Sequence, residues 1–224
     1  MNITAIIPAR GGSKGLHNKN LIPLLGIPLL AHTIRHARES KYIERVYVSS
    51  DDVEIRQSAR RRGAYVIKRP EHLSGDSATS ESALLHAVGS LAFHDVWPTL
   101  LVFLQCTSPI RRKDDIDNAI EQLLRERVDS LFSATETKQY VRDDGHGGKH
   151  YDKPNIPRTL RKPALLENGS IYVFKPWVLT EGGRRLGGKV THCPQPWWCG
   201  LEIDTQEDLD LCASIMRLKR SELA

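Results

Sequence analysis

Three cationic side chains, Arg10, Lys14 and Lys19, lie among glycines just after the first apolar segment of the chain. Residues 3–7 are apolar and mostly β-branched, which predicts a strand buried on both faces, and Pro8 begins the loop that ends it. Glycines let backbone N–H groups approach an anion closely, and the cations add charge. The glycines are Gly11, Gly12 and Gly15. The loop is therefore predicted to hold phosphate.

The spacing of this loop excludes two common phosphate motifs. The dinucleotide fingerprint requires G-x-G-x-x-G and the P-loop requires G-x-x-x-x-G-K-[ST], whereas the chain has G-G-x-K-G. The alternative at this level is a glycine-rich turn whose basic residues are merely solvated. The loop alone does not decide between them.

Two carboxylates near the other end of the chain, Glu202 and Asp204, flank Ile203. In a strand, residues two apart project from the same face, so the carboxylates are predicted to share one space. Such a pair repels itself unless a cation intervenes, which favours Mg²⁺ or Mn²⁺ over the alternative of an exposed polar strand edge. The next acids have a simpler explanation, since Thr205 to Asp208 has the form of a helix capping box.

Strand-like and helix-like segments alternate along most of the chain, which predicts an α/β fold. We expect one Rossmann-like domain over residues 1–224, with a mostly parallel, twisted sheet and helices on both faces. Parallel strands would bring the loops at 10–20, 69–80 and 105–111 to one rim. The predicted strands cover residues 3–7, 45–50, 64–67, 99–104, 130–134, 168–174 and 201–204.

The alternation breaks at about residues 136–164, where glycines, prolines and charges dominate. A segment of this length in a compact enzyme is typical of a lid or a subunit contact. We interpret it as an inserted, protruding extension of the core.

Bulk composition narrows the function classes. The 224 residues are 40% hydrophobic and 26% charged, and the net charge of +5 comes from small basic clusters. These suit a polyanionic small molecule as well as nucleic acid, but no basic stripe is interleaved with aromatics, so nucleic-acid binding is not expected. Four cysteines without a Cys-x-x-Cys pair indicate free thiols, and no apolar run approaches the ~18 residues of a membrane span. We expect a cytoplasmic protein that does not contact a membrane.

Cations for phosphate together with a carboxylate pair for a metal favour metal-assisted nucleotidyl transfer, in which an oxygen attacks the α-phosphorus and pyrophosphate leaves. A non-catalytic module that senses a nucleotide is the alternative from another class, although it would not require the carboxylate pair.

The motifs taken together resemble the acylneuraminate cytidylyltransferases, or CMP-sialic acid synthetases, over nearly the whole chain. The matching residues are 7–15 with Lys19 and Asn20, 48–51, Arg69 and Pro70 with 76–80, 105–109, 167–172 and 202–205. The resemblance implies a CTP-dependent cytidylyltransferase, a Rossmann-like fold and a homodimer or tetramer formed through the extension. Its substrates would be CTP and a 2-keto sugar acid, an N-acylneuraminate or a related nonulosonate, attacked through the anomeric hydroxyl.

The resemblance also implies a role for individual positions. It makes Arg10, Lys14 and Asp204 catalytic, Asp204 or a metal-bound water helping to deprotonate the acceptor hydroxyl. It gives the metal to Glu202 and Asp204, and the acceptor sugar to Gln105 and Asn168. The residues it implies for CTP are Arg10, Gly11, Gly12, Ser13, Lys14, Asn20, Arg69 and Ser80.

The chain departs from the family pattern on the acceptor side. Some bacterial members have Arg-Pro before Asn-Gly, whereas this chain has Leu166 and Glu167. We expect Arg142, or Arg158 from a partner subunit, to supply the lost cation. Family members usually have Asp at the position of Glu202, whose longer side chain favours ligation through water. Acceptors that the residues leave open are a 3-deoxy-octulosonate, legionaminate, pseudaminate or a phosphonate.

Overall fold

Nine strands are found in the computed structural model, which describes residues 1–13, 15–139, 157–160 and 162–223. They are β1 (Ile3–Pro8), β2 (Pro23–Leu24), β3 (Ile27–Pro28), β4 (Arg45–Ser50), β5 (Tyr65–Lys68), β6 (Leu100–Leu104), β7 (Ser130–Thr137), β8 (Ala164–Phe174) and β9 (Val190–Pro194). Seven of these form one sheet in the order β5-β4-β1-β6-β8-β7-β9, and β2 pairs with β3 in a separate hairpin.

The large sheet is mostly parallel, as the sequence predicts. Neighbouring strands run parallel except at β8, which is antiparallel to both β6 and β7. The carboxyl ends of β1, β4, β5 and β6 consequently meet at one edge, where their loops can combine into a site.

Helices cover both faces of the sheet, which confirms the predicted fold class. The described helices are α1 (Leu29–Glu39), α2 (Val53–Arg61), α3 (Ser80–Phe93), α4 (Asp115–Glu126), α5 (Pro176–Thr180), α6 (Gln206–Leu218) and α7 (Arg220–Leu223). Apolar residues of α1, α2 and α4 pack with one face of the sheet, and those of α3 and α5 pack with the other. The helix α6 contributes to a third cluster, which includes the fully buried Ile203.

Side-chain caps fix where two helices at the carboxyl edge begin. Thr79 accepts a hydrogen bond from the Ser82 N–H at 3.1 Å and so starts α3. The predicted capping box is present at α6, where Thr205 accepts from the Asp208 N–H and Asp208 accepts from the Thr205 N–H at 2.9 Å. These caps place the loops before α3 and α6 beside the ends of the strands.

The prediction of a last strand at residues 201–204 is wrong. This segment lies outside the sheet after a 3₁₀ turn, and it is held by one backbone bond, from the Ile203 N–H to the Thr107 carbonyl at 2.8 Å. The edge strand is instead β9, which pairs parallel with β7. Its exposed, polar sequence at a sheet edge lacks the apolar run by which buried strands are recognised.

The ends of the predicted extension continue the sheet. Thr137 pairs with Ala164 and Glu136 with Leu165, so β7 and β8 extend beyond their predicted limits as an antiparallel pair. Residues 140–156 and 161 lie outside the described residues, and the extension and its role in dimerisation stay predictions.

All four cysteines are free and buried. Burial raises the pKa of the Cys106 thiol to about 12, so it is a neutral thiol at physiological pH.

None of the helices in the described part of the chain has the length and apolar character needed to cross a bilayer.

A buried histidine in α1 predicts how stability depends on pH. Burial, followed by the charge of the nearby Arg111, holds the pKa of His36 well below the ordinary value of 6.5. Below pH 6.5 the unfolded chain binds a proton that the folded chain excludes. The free energy of unfolding therefore decreases as the pH is lowered, by at most about 1.4 kcal/mol per pH unit for one proton. Urea unfolding at pH 7.5 and pH 5.5 should show this loss, and His36→Gln should reduce it. An equal loss in the variant would contradict the assignment.

Candidate functional site

A cleft of about 330 Å³ opens at the carboxyl ends of β1, β5 and β6. The loops that follow these strands line it, together with the N-terminal turn of α3 and Asp204. Of the residues predicted for the site, those lining the cleft are Arg10, Ser13, Asn20, Arg69, Ser80, Gln105 and Asp204. The topology thus brings together side chains from four separate stretches of sequence.

The loop after β1 is shaped by its own hydrogen bonds. The Gly11 N–H donates to Asp51 Oδ1 at 3.1 Å, and Gly12 has a φ of 62°, a left-handed conformation that favours glycine. Asn20 is buried and donates from Nδ2 to the Arg10 carbonyl at 2.9 Å. Gly11 and Gly12 therefore shape the loop without lining the cleft, whereas their neighbours Arg10 and Ser13 do line it.

The segment containing the carboxylates meets this loop directly. A Cβ added to Gly15 would lie well under 3.0 Å from the Asp204 backbone carbonyl oxygen, so only glycine fits there. Lys19 Nζ donates to Asp204 Oδ1 at 2.7 Å, across 185 positions of sequence. The role of Gly15 in this contact, and the pairing of Lys19 with Asp204, were not predicted from the sequence.

Glu202 and Asp204 interact electrostatically although they are not in a strand. Partial burial and then the charge of Asp204 raise the pKa of Glu202, while Lys19 opposes the rise. The carboxylate of Glu202 lies beside Gly169, because a Cβ added there would be well under 3.0 Å from Glu202 Oε1 and 3.1 Å from Gln105 Oε1. The oxygens of Glu202 and Gln105 are therefore neighbours.

A buried arginine faces the cleft from the other side. Arg69 donates from Nε to Ser74 Oγ at 3.0 Å, and its NH2 lies 3.7 Å from Asp51 Oδ1. Burial lowers the pKa of Arg69, against the opposing charge of Asp51. Its NH2 is buried and makes no hydrogen bond of ordinary length among the described residues, so its charge is balanced only by the longer ion pair with Asp51.

Two further features lie at the same wall. Arg10 NH1 pairs with Asp76 Oδ1 at 3.1 Å in a partly exposed contact. The helix α3 begins at Ser80 on the cleft, and the free N–H groups of a helix N-terminus attract anions.

Gln105 is held from behind by Arg111, a residue to which the sequence analysis gave no role in the site. Arg111 is fully buried and donates from NH2 to the backbone carbonyls of Gln105 and Ser170, both at 2.8 Å. Burial lowers the pKa of Arg111 to about 10. It thereby joins the end of β6 to the middle of β8, where Gln105 and Gly169 approach each other.

One of the residues predicted for the acceptor, Asn168, is not brought into the cleft. Asn168 is buried, where its Nδ2 donates to Gln195 Oε1 at 2.9 Å and its Oδ1 accepts from Ser133 Oγ at 2.5 Å, so its amide joins interior strands instead of facing the cleft. Lys14 and Arg142 lie outside the described residues, and of Arg158 only the backbone is described, in a 3₁₀ turn. The roles predicted for these three basic residues stay predictions.

Fold and cleft together define an α/β protein with a cleft at the carboxyl edge of a mostly parallel sheet, lined by cationic side chains and the Asp204 carboxylate. The family model described as "Cytidylyltransferase" matches residues 4–175. The chain belongs to this family, which confirms the family predicted from its motifs.

Individual relatives fit this assignment. The chain is 36% identical over 231 residues to a pseudaminic acid cytidylyltransferase of Campylobacter jejuni, covering 97% of both chains. It is 32% identical over 215 residues to N-acylneuraminate cytidylyltransferase A of Danio rerio, covering 92% of this chain but 49% of the relative. The chain thus spans about half the length of that relative and nearly all of the bacterial one.

Solved structures show the same fold. A CMP:2-keto-3-deoxy-manno-octonic acid synthetase in complex with CTP superposes with a TM-score of 0.73 at 16% identity, covering 98% of this chain and all of the other. A 4-diphosphocytidyl-2C-methyl-D-erythritol synthase of Anaerococcus prevotii has a TM-score of 0.68 at 17% identity, covering 96% and 98%. At these identities the likeness concerns the fold alone.

Proposed function

We propose that this chain transfers the cytidylyl group of CTP to a 2-keto sugar acid, an N-acylneuraminate or a related nonulosonate. The observation that carries the proposal is the cleft in which buried Arg69 and the N-terminus of α3 face Gln105 and Asp204. One wall suits a triphosphate because it is cationic, and the other suits a polyhydroxylated acceptor because it offers carboxylate and amide groups.

In this reaction the anomeric oxygen of the acceptor forms a bond to the α-phosphorus, while the bond from that phosphorus to the bridging oxygen breaks and pyrophosphate leaves. The Asp204 carboxylate takes the proton of the attacking hydroxyl. Among the described residues only Lys19 donates a hydrogen bond to this carboxylate, to Oδ1, so Oδ2 is available for the proton. Arg10, Arg69 and Lys14 would hold the phosphates, and much of the rate would come from positioning.

The carboxylate pair fits the proposed Mg²⁺ or Mn²⁺. Mg²⁺ uses one or two protein carboxylates together with substrate phosphates, and Glu202 and Asp204 lie close enough for one charge to raise the pKa of the other acid. No cluster of three or more acidic, histidine or cysteine side chains that could hold a metal ion occurs among the described residues. When bound, the metal would neutralise charge on the phosphates.

The nature of the acceptor is the open part of the proposal. One relative that this chain matches over 97% of its length, at 36% identity, is a pseudaminic acid cytidylyltransferase. This match favours a nonulosonate of the pseudaminate kind as the acceptor. The 3-deoxy-octulosonate, legionaminate and phosphonate alternatives keep the same chemistry. The homodimer and the cytoplasmic location belong to the same proposal.

Pyrophosphate release tests the proposal. The chain is incubated with CTP, with and without Mg²⁺, and with a panel of N-acylneuraminate, pseudaminate, legionaminate, 3-deoxy-octulosonate and a phosphonate. We expect release that requires both the metal and one of the nonulosonates, and a CMP-sugar by mass spectrometry. Binding of CTP without release from any acceptor would support the non-catalytic nucleotide-binding module instead.

A further inference from the structure

Arg185, on the loop between α5 and β9, packs beside an aromatic residue that lines the cleft. The guanidinium carbon of Arg185 is 4.6 Å from the centroid of the Tyr172 ring and 5.9 Å from that of Phe103. These two rings stack on each other across β6 and β8, and Phe103 also lines the cleft. A guanidinium on an aromatic face is held in place and partly desolvated.

Two glutamates fix the same guanidinium. Arg185 NH1 donates to Glu81 Oε1 at 2.7 Å and NH2 donates to Glu167 Oε1 at 3.4 Å. Tyr172 also donates its hydroxyl to Glu167. Glu81 follows Ser80 at the start of α3, and Glu167 lies in β8 two residues before Gly169, so Arg185 joins the start of α3 to β8.

The carboxylates near Arg185 indicate a function for its positive charge beyond joining α3 to β8. Glu202 and Asp204 lie close to each other, and Glu81 and Glu167 flank the guanidinium, so an acidic acceptor needs a cation to offset their charge. Lys19 is already engaged with Asp204. Arg10 and Arg69 line the nucleotide wall of the cleft. Among the described residues, Arg185 is the cation that contacts Glu167, and a guanidinium has five N–H donors, of which two are used in the bonds to glutamate.

We propose that Arg185 binds the carboxylate of the acceptor sugar acid and thereby selects 2-keto acids over neutral sugars. The inference rests on the proposed function, because it requires an acidic acceptor. Glu81 and Glu167 orient the guanidinium, and its unused N–H groups form a charged, two-point contact with the carboxylate. In this chain a loop after α5 supplies a cation beside Leu166 and Glu167, where the sequence itself has none.

The experiment is a comparison of Arg185→Gln with the wild type, using the accepted sugar acid and its carboxylate methyl ester as alternative acceptors. We expect the KM of the acid to rise about 10- to 100-fold in the variant, as for loss of a charged hydrogen bond, while the KM of CTP stays within about twofold. The preference of the wild type for acid over ester should collapse in the variant. Arg185→Lys keeps the positive charge but loses the planar, two-point donor geometry of the guanidinium, so it should give an intermediate KM for the acid.

Arg184→Gln is the matched control, because Arg184 is the exposed neighbour with the same charge. It should leave both KM values and the acid preference unchanged. An acid KM in Arg185→Gln equal to that of the wild type would overturn the inference. So would an equal loss with acid and ester, which would show that Arg185 only stabilises the fold. If the wild type does not release pyrophosphate with any of the acceptors tested, the proposed function itself fails. That result differs from an active wild type whose Arg185→Gln variant is unaffected.

Discussion

Gly15→Ala is expected to lower kcat/KM about 100-fold. The added Cβ would meet the backbone carbonyl oxygen of Asp204 well inside 3.0 Å, and a backbone atom cannot rotate away as a side chain can. Either the phosphate loop or the segment with Asp204 must shift, and a displacement of about 1 Å between reacting groups costs on the order of 10²-fold in rate. Steady-state kinetics with CTP and the accepted sugar acid measures the loss.

Gly75→Ala is the control for this prediction. Gly75 lies between Ser74 and Asp76 in another loop at the cleft, but a Cβ added there meets no atom within 4 Å. We expect this variant to keep most of the activity, and both variants to unfold near the wild-type temperature because the affected loops are at the surface. Full activity in Gly15→Ala would show that the loop and the Asp204 segment are not held in register for catalysis.

The fold could be predicted largely because buried strands have a strong sequence signal. In β6 every residue is buried, and both faces of such a strand require apolar side chains. The order of strands and helices then implies parallel pairing and a shared carboxyl edge. By contrast, β9 is an edge strand with three exposed or half-exposed residues near its start, so its sequence carries no comparable signal.

The site was predictable where a residue acts through its own chemistry and position in a loop. Arg10, Arg69 and Gln105 follow strands directly, and parallel pairing brings such positions to one cleft. Asn168 misled the sequence analysis because an amide in a polar motif has the same appearance whether it faces a ligand or the interior. Its four polar contacts inside the protein depend on the β7–β8 register, which local sequence does not reveal.

Contacts between distant segments could not be predicted either. The Lys19–Asp204 ion pair joins the first loop to the segment before α6, and Arg185 reaches Glu81 across 104 positions. Single residues in these pairs are ordinary surface charges in the sequence. Only the packing of α6 and of the α5–β9 loop against the sheet gives them a common site.

Asp204→Asn is expected to lower kcat about 1,000-fold, within the range associated with loss of a general acid or base. The amide is isosteric and can still accept the hydrogen bond from Lys19, but it can neither take the proton of the acceptor nor hold a cation as a carboxylate does. Because Asp204 is 68% exposed, the ion pair is worth at most about 1 kcal/mol to stability. The thermal unfolding midpoint should therefore change little while kcat falls.

Asp210→Asn on α6 is the matched control, since Asp210 is exposed and, among the described residues, its carboxylate accepts a hydrogen bond only from Gln206. It should keep wild-type kcat.

Lys19→Met distinguishes two roles for Asp204, taking the proton of the acceptor or only positioning Lys19. If Asp204 served only to position Lys19, Asp204→Asn and Lys19→Met would cost the same, and the double variant would cost no more. If Asp204 takes the proton, Asp204→Asn alone costs far more than Lys19→Met, because the base is lost in the first variant and only its ion-pair partner in the second.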